Sequence, residues 1–232
     1  MHYWGVLPAA GTGRRFGGAL PKQYAPLAGL TVLEWSLQPL LVDPRCHGVA
    51  VALSAEDGWF EALNLRARYG ERLITVTGGA ERCESVLAGL AALPAAPEDW
   101  VLVHDAARPC LTAAERDALL DAVGQHAAGG LLALPLADTL KQSDGLQQVS
   151  ATLPRQALWR AQTPQMFRHG LLVQALQQAL VRGERPTDEA QAIEALGYKP
   201  LLVEGRSTNI KVTSAADLPL AQALLTAAME RA

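Results

Sequence analysis

The segment between positions 8 and 22 contains the residue types that bind phosphate groups. It has the sequence Pro-Ala-Ala-Gly-Thr-Gly-Arg-Arg-Phe-Gly-Gly-Ala-Leu-Pro-Lys and follows a short apolar run. Small residues let backbone N–H groups approach an anion closely, and here they are Ala9, Ala10, Gly11 and Gly13. Positive charge in the same loop comes from Arg14, Arg15 and Lys22. We interpret the segment as a phosphate-binding loop; the alternative is an ordinary glycine turn with solvated arginines.

Two well-known phosphate-binding motifs do not match this loop. The dinucleotide fingerprint needs a glycine at the third position after Gly13, where this chain has Phe16. The P-loop needs Gly-Lys-Ser/Thr, whereas Lys22 lies between Pro21 and Gln23. The loop therefore belongs to a third kind of phosphate site.

Further polar residues follow later apolar runs, where open parallel sheets bind their ligands. Gly78 to Arg82 follows the third run with Ser85 one turn on, and His104-Asp105 ends the fourth. An Asp at such a place suits Mg²⁺ or a sugar hydroxyl, although a helix cap or turn is the alternative for Asp105. For His104 we favour a packed, hydrogen-bonded side chain over a catalytic base.

The second half of the chain adds a looser set of candidates. They are Asp138-Thr139, Arg155, Thr163-Pro164-Gln165, Thr187-Asp188-Glu189 and Asn209-Ile210-Lys211. Thr187-Asp188-Glu189 precedes an apolar helix, so we expect it first to cap that helix. Lysine is rare, at four of the twenty Lys and Arg residues, which mildly favours a specific role for Lys211 over a solvated one.

Composition and missing motifs exclude several functions. The formal net charge of -3 gives no basic excess for nucleic acid. Cys46, Cys83 and Cys110 form neither a disulfide framework nor a metal-binding spacing, so a reducing, cytoplasmic setting is expected. We find no secretory signal, no membrane-spanning stretch, and no hydrolase or zinc motif.

The hydrophobic pattern predicts an α/β fold. Near-continuous apolar runs indicate buried strands at 3–7, 48–53, 73–77, 100–104, 130–136 and 200–203, with a shorter run at 210–212. Helical spacing is found at 31–41, 56–69, 81–93, 113–127, 171–181, 188–196 and 215–229. This alternation is typical of a doubly wound, mostly parallel sheet, and we expect one domain over residues 1–232.

The segment at about 137–160 departs from this pattern. Ser143-Asp144-Gly145 lies between two strand-like runs and predicts a hairpin. A two-stranded ribbon is marginal in water when it has nothing to pack on. We therefore expect a projecting β-arm that packs on another chain.

Five motifs together resemble one family of sugar-phosphate nucleotidyltransferases, the 2-C-methyl-D-erythritol 4-phosphate cytidylyltransferases, nearly from end to end. They are the loop from Pro8 with Pro21-Lys-Gln-Tyr, then Val103-His-Asp-Ala-Ala-Arg-Pro, Leu158-Trp-Arg-Ala-Gln-Thr-Pro-Gln, Thr187-Asp-Glu-Ala, and Val203-Glu-Gly-Arg-Ser-Thr-Asn-Ile-Lys-Val-Thr. Two positions depart from the family pattern. Ala80 and Thr208 each stand where the family usually has Asp.

The resemblance implies a nucleotidyltransferase fold and a reaction of CTP with methylerythritol phosphate, with Mg²⁺ or another divalent cation, that gives a CDP-alcohol and pyrophosphate. It implies that Arg15 and Lys22 act on the triphosphate, and that Arg155 and Lys211 hold the acceptor phosphate. Asp105, also the candidate metal ligand, would bind substrate hydroxyls and order the site together with Thr139 and Thr163. The nucleotide pocket would be lined by Ala9, Ala10, Gly11, Gly79 and Ser85. It further implies a homodimer with exchanged arms.

Three other functions remain open at this stage. The acceptor could be another polyol phosphate such as ribitol 5-phosphate. The fold could also serve a non-catalytic nucleotide-binding regulator, since fold alone does not fix function. A nicotinamide-dependent oxidoreductase is disfavoured by Phe16.

Overall fold

The computed structural model describes residues 1–11, 16 and 20–230. Its strands are β1 (Tyr3–Pro8), β2 (Pro26–Leu27), β3 (Leu30–Thr31), β4 (Cys46–Leu53), β5 (Leu73–Thr77), β6 (Trp100–Val103), β7 (Gly130–Pro135), β8 (Leu140–Ser143), β9 (Val149–Leu153), β10 (Trp159–Arg168) and β11 (Leu201–Glu204). Its α-helices are α1 (Val32–Leu41), α2 (Leu65–Tyr69), α3 (Arg82–Ala92), α4 (Ala113–Val123), α5 (His169–Val181), α6 (Glu189–Glu194) and α7 (Leu218–Met229).

The predicted α/β fold with a mostly parallel sheet is confirmed. Within the described part of the chain, a seven-stranded sheet has the order β11-β7-β10-β6-β1-β4-β5. Every pairing in it is parallel except those of β10, which runs antiparallel to β6 and β7. Because the parallel strands end at one edge, the loops after β1, β5 and β6 meet there.

Alternate residues of the strands face two separate hydrophobic clusters. Leu7 and Leu102 pack with α1 and α4 on one face of the sheet, whereas Val6 and Val101 pack with α3, α5 and α6 on the other. Both faces are therefore covered by helices. This explains why the strand sequences are continuously apolar rather than alternating.

Three local predictions differ from the structure. The helix expected over 56–69 is broken, because Asn64 adopts a left-handed conformation with φ 51° between a 3-10 turn at Glu61–Leu63 and α2. The run at 210–212 is irregular backbone. Strand β10 has no counterpart among the predicted strands, and its Pro164 lies where the pairing with β7 shifts register.

The predicted hairpin is present as β8 and β9, which pair only with each other among the described residues. Its apolar side chains face solvent, and Leu146 is 77% exposed and Val149 64%. The arm therefore has unburied apolar surface. Among residues 1–11, 16 and 20–230, no helix has the length and apolar character to span a membrane.

We expect Gly89→Ala to destabilise the fold by about 1–2 kcal/mol, because overpacking outweighs the gain in helix propensity. A Cβ at Gly89 in α3 would lie 2.6 Å from Cγ1 of Val6 in β1. Gly124→Ala is the matched control, since its Cβ would meet nothing closer than 3.4 Å. Urea unfolding measures both, and equal stability of the two variants would contradict the tight contact between α3 and β1.

Candidate functional site

A cavity opens at the carboxyl ends of β1, β5 and β6. It brings together eight of the residues predicted from the sequence, namely Ala9, Ala10, Gly11, Lys22, Gly79, Ser85, Asp105 and Lys211. Arg15 lies outside the described residues, so the structure does not place it. The cavity also exposes Arg82, to which the sequence had assigned no role.

The loop after β1 is anchored from both sides. The Ala9 N–H donates to the Ala52 carbonyl at 2.8 Å, and the buried Gln23 side chain donates to the Ala9 carbonyl at 2.8 Å. Gln23 belongs to a 3-10 turn, Lys22–Tyr24, so this bond joins the turn that carries Lys22 to the loop. The Tyr24 hydroxyl ties the same turn to Asp57 at 2.6 Å. Lys22 is thus presented to the cavity by a fixed turn.

The loop after β5 approaches the first loop so closely that glycine is required. A Cβ at Gly78 would lie 2.7 Å from Cβ of Ala10, and one at Gly79 would lie 2.3 Å from Cβ of Glu84. The Ser85 hydroxyl accepts from the Gly79 N–H at 3.2 Å. The same hydroxyl lies 3.2 Å from the Glu81 carbonyl, so it holds the loop's shape. The cavity wall here is therefore mostly backbone, and Ala80 adds no polar side chain to it.

Asp105 is the meeting point of three cationic side chains. Its carboxylate lies 3.0 Å from Arg82, 2.7 Å from the Lys211 ammonium and 3.7 Å from Arg108. Burial alone would raise the pKa of Asp105, but Arg82 and Lys211 hold it well below its usual range. Asp105 is therefore ionised, and it acts as a shared counter-ion rather than a helix cap.

Arg82 bridges Asp105 to a second buried carboxylate. Its Nη1 and Nη2 donate to both oxygens of Glu189 at 2.6 and 3.1 Å, while Nε donates to Asp105. Glu189 is completely buried. Burial alone would lower the pKa of Arg82, but Glu189 and Asp105 raise it. Glu189 therefore serves as an ion-pair partner, while Asp188 caps α6 as predicted by accepting from the Gln191 N–H.

The segment that carries Lys211 is fixed by its neighbour Asn209. The buried Asn209 side-chain amide donates to the Thr163 carbonyl at 2.9 Å, and the Asn209 backbone carbonyl accepts from Arg108 at 2.7 Å. Support for Lys211 thus comes from Asn209 and Asp105. Neither contact involves the Thr208 side chain.

Thr163 and His104 lie behind the cavity rather than in its wall. The Thr163 hydroxyl accepts from the Asp105 N–H at 3.0 Å and bonds Nδ1 of His104 at 3.1 Å. The other ring nitrogen of His104 bonds the Arg108 carbonyl, and burial lowers the pKa of His104 to about 4. The Thr163 hydroxyl therefore orders the backbone at Asp105, and its contact with a substrate hydroxyl stays a prediction. His104 is a packed residue, as favoured from the sequence.

Asp105, the candidate metal ligand, has cationic neighbours on both carboxylate oxygens. Within the described chain, no three His, Cys, Asp or Glu side chains cluster in a way that would hold a metal ion. A metal role for Asp105 stays a prediction.

Thr139 and Arg155 do not reach the cavity of their own chain. Both are exposed, and the Arg155 guanidinium donates to the Ala137 carbonyl at the base of the arm. Neither residue lines the cavity. The two residues thus lie on the arm, apart from the other predicted site residues.

The ion-pair and supporting roles of Arg82, Arg108, Glu189 and Asn209 were not predicted; Glu189 was expected only to help cap a helix. The sequence indicated these residues only by their position, because each lies within a few residues of a predicted site residue or of the predicted capping motif. The partner of Arg82 lies 107 residues further along the chain. Nothing in the local sequence of either residue indicates that pairing.

Comparison with known proteins identifies the family of this chain. A sequence model of the 2-C-methyl-D-erythritol 4-phosphate cytidylyltransferase family matches residues 4–227. A protein of that name from Dechloromonas aromatica is 51% identical over 228 residues, covering 97% of this chain and 98% of the relative. One from Halorhodospira halophila is 52% identical over 229 residues, covering 97% and 94%.

Solved structures agree in fold over the same length. The Francisella tularensis enzyme of that name superposes with a TM-score of 0.82 at 32% identity, covering 97% of this chain and 100% of that one. The Thermus thermophilus enzyme superposes with a TM-score of 0.80 at 34% identity and the same coverage. This chain belongs to the 2-C-methyl-D-erythritol 4-phosphate cytidylyltransferase family.

Proposed function

We propose that this chain transfers CMP from CTP to 2-C-methyl-D-erythritol 4-phosphate, releasing pyrophosphate, as a step of non-mevalonate isoprenoid precursor synthesis. The observation that carries the proposal is the cavity itself. A wall of small residues and backbone at Ala9–Gly11 and Gly79 faces the cations Lys22, Arg82 and Lys211. Such a site can seat two phosphorylated molecules side by side and neutralise their charge.

The reaction needs no general base. A phosphate monoester is largely dianionic at neutral pH, since its second pKa is about 6. One of its oxygens bonds to the α-phosphorus of CTP while the bond to the bridging oxygen breaks and pyrophosphate leaves with the electron pair. His104, with its pKa lowered by burial to about 4 and both ring nitrogens bonded, fits a structural role beside such chemistry. The protein's task is to position the reactants and stabilise charge.

We assign the residue roles from the positions of Lys22 and Lys211 in the cavity and, for Arg15, from the family resemblance alone. Lys22 faces the triphosphate from the first loop and stabilises the charge that grows on the α-phosphate and on pyrophosphate, together with Arg15. Lys211, held 2.7 Å from Asp105, takes the acceptor phosphate, and Asp105 binds an acceptor hydroxyl. Mg²⁺ enters with CTP as part of the nucleotide substrate, because Mg²⁺ commonly binds through substrate phosphates and retained water.

Arg155 completes the acceptor site from another subunit in our proposal. It is exposed on an arm whose apolar residues Leu146, Val149 and Leu153 are 77%, 64% and 40% exposed. A two-fold interface would bury both arms at once and carry each Arg155 and Thr139 to the other subunit's cavity. The catalytic body and the arm at 137–160 then form one domain, and the active unit is a homodimer.

We place the enzyme in the cytoplasm, without nucleic acid or membrane as a partner. Cys46, Cys83 and Cys110 are all buried as free thiols, and burial raises the pKa of each. Buried thiols with raised pKa values are unreactive, which suits a chain that keeps them reduced.

Nucleotide selectivity tests the proposed activity. Pyrophosphate release with methylerythritol phosphate should be far faster with CTP than with UTP, ATP or GTP, because fixed backbone groups present one pattern of donors and acceptors to the base. Ribitol 5-phosphate is the matched acceptor control and should react poorly. Equal turnover with UTP, or preference for ribitol 5-phosphate, would reject the assignment.

Subunit mixing tests the exchanged arm. Lys22→Ala and Arg155→Ala should each lower turnover by roughly 10²-fold or more, the usual loss for one transition-state donor. Lys199→Ala, which removes an exposed lysine outside the cavity, is the control. In a mixed dimer, the site formed by the Arg155→Ala body and the Lys22→Ala arm has both residues intact. Since half the dimers are mixed, roughly a quarter of wild-type activity should return.

If Arg155 acts within its own chain, every site carries one lesion and nothing returns. Subunit exchange is verified separately by native mass spectrometry of differently tagged chains. Proven exchange without recovered activity would therefore reject the shared site while leaving dimerisation itself intact.

A further inference from the structure

Arg82 is the one residue in the described cavity whose guanidinium bridges two buried carboxylates from different parts of the chain. Asp105 follows β6, while Glu189 begins α6, so the bridge spans the sheet edge and the helix packed on it. The Arg82 side chain is 25% exposed, and that of Glu189 1%. The Arg82–Glu189 ion pair is thus largely buried, whereas pairs such as Arg182–Glu184 are exposed to solvent.

Glu189 is itself fixed by a further layer of hydrogen bonds. The buried Gln165 side chain in β10 donates to Asp188 at 2.9 Å and accepts from the Ala190 N–H at 2.9 Å. Gln165 thus holds both chain neighbours of Glu189, Asp188 and Ala190, by hydrogen bonds. The position of the Glu189 carboxylate is therefore set by the fold before any ligand arrives, and it sets the orientation of Arg82.

Arg82 and Lys211 contact different oxygens of the Asp105 carboxylate. Arg82 lies on Oδ1 of Asp105 at 3.0 Å, and the Lys211 ammonium lies on Oδ2 at 2.7 Å. The Lys211 side chain is 40% exposed, so it can turn toward a ligand in the cavity. Without Arg82, the Asp105 carboxylate would keep only Lys211 at 2.7 Å and the more distant Arg108 at 3.7 Å, and Oδ1 would lose the contact that fixes its orientation. Lys211 would then be held back from an incoming phosphate.

We propose that Arg82, oriented by Glu189, is a positioning residue for the acceptor phosphate: it fixes the Asp105 carboxylate and leaves Lys211 available to a phosphate dianion. This inference rests on the proposed function, since it names how that site prepares for its acceptor. Arg82 acts through Asp105 and Lys211, and CTP is held independently by the two loops and Lys22.

The double variant Arg82→Gln/Glu189→Gln tests the inference without leaving a buried carboxylate unpaired. We expect the KM for methylerythritol phosphate to rise roughly tenfold or more, as for other small misplacements of a positioned group. The dissociation constant for CTP, measured by calorimetry without acceptor, should stay within about threefold of the wild-type value. Arg182→Gln/Glu184→Gln removes the same two charges from an exposed pair and should change neither quantity.

Two kinetic outcomes would overturn the inference. A lower melting temperature with both constants unchanged would make the bridge merely structural. An equal loss of CTP affinity would make Arg82 a direct ligand of the nucleotide. Arg82→Lys keeps the charge but cannot bridge both carboxylates, so it should also raise the acceptor KM; an unchanged KM there contradicts the proposal even if the double variant fails to fold.

A crystal structure of the double variant separates this inference from the proposed function. We expect the Asp105 carboxylate to rotate from its present place against Arg82. An unmoved Asp105 and Lys211 would overturn the inference. If the wild-type protein released no pyrophosphate, the proposed function would fail, while the structure would still decide whether Arg82 positions Asp105.

Discussion

A single buried carboxylate, that of Asp105, holds together the cations on which the site depends. Arg82, Arg108 and Lys211 all face it, and Glu189 is the second carboxylate of the group. Three positive and two negative charges leave a surplus of one positive charge beside the cavity. A buried charge is costly unless it is paired, so each member of the group is fixed by the others. Preorganised cations of this kind are what the transfer of a charged phosphoryl group requires.

The topology of the sheet makes this arrangement possible. Strand β10 runs antiparallel between β6 and β7, which brings Thr163 beside the end of β6. There Thr163 binds the Asp105 N–H with its hydroxyl and the Asn209 side chain with its carbonyl. One inserted strand thus fixes both the counter-ion and the segment that carries Lys211.

The sequence predicted the parts of the site that depend on local pattern. Strand ends followed by Gly, Asp or Lys are visible in the sequence, and Ala9, Gly79, Asp105 and Lys211 do meet in one cavity. The pairing of Arg82 with Glu189 joins residues far apart in the chain, so no local spacing indicates it. Strand β10 was not predicted either, and its interior Pro164 is atypical of a central strand.

The arrangement of cations in the cavity requires that the Asp105 carboxylate be stabilised in its ionised form by its cationic neighbours. The most direct test is the difference in free energy of unfolding between the wild-type protein and Asp105→Asn as a function of pH. Because the pKa of Asp105 is lowered on folding, its contribution is present above the unfolded pKa of about 3.9 and is lost as pH falls. We predict a wild-type protein that is more stable at neutral pH, with an advantage that shrinks below about pH 4, by up to about 1.4 kcal/mol per pH unit. An Asn variant as stable as the wild type at neutral pH, or more stable, would contradict the account, because Asp105 would then be a strained carboxylate rather than the counter-ion of the site.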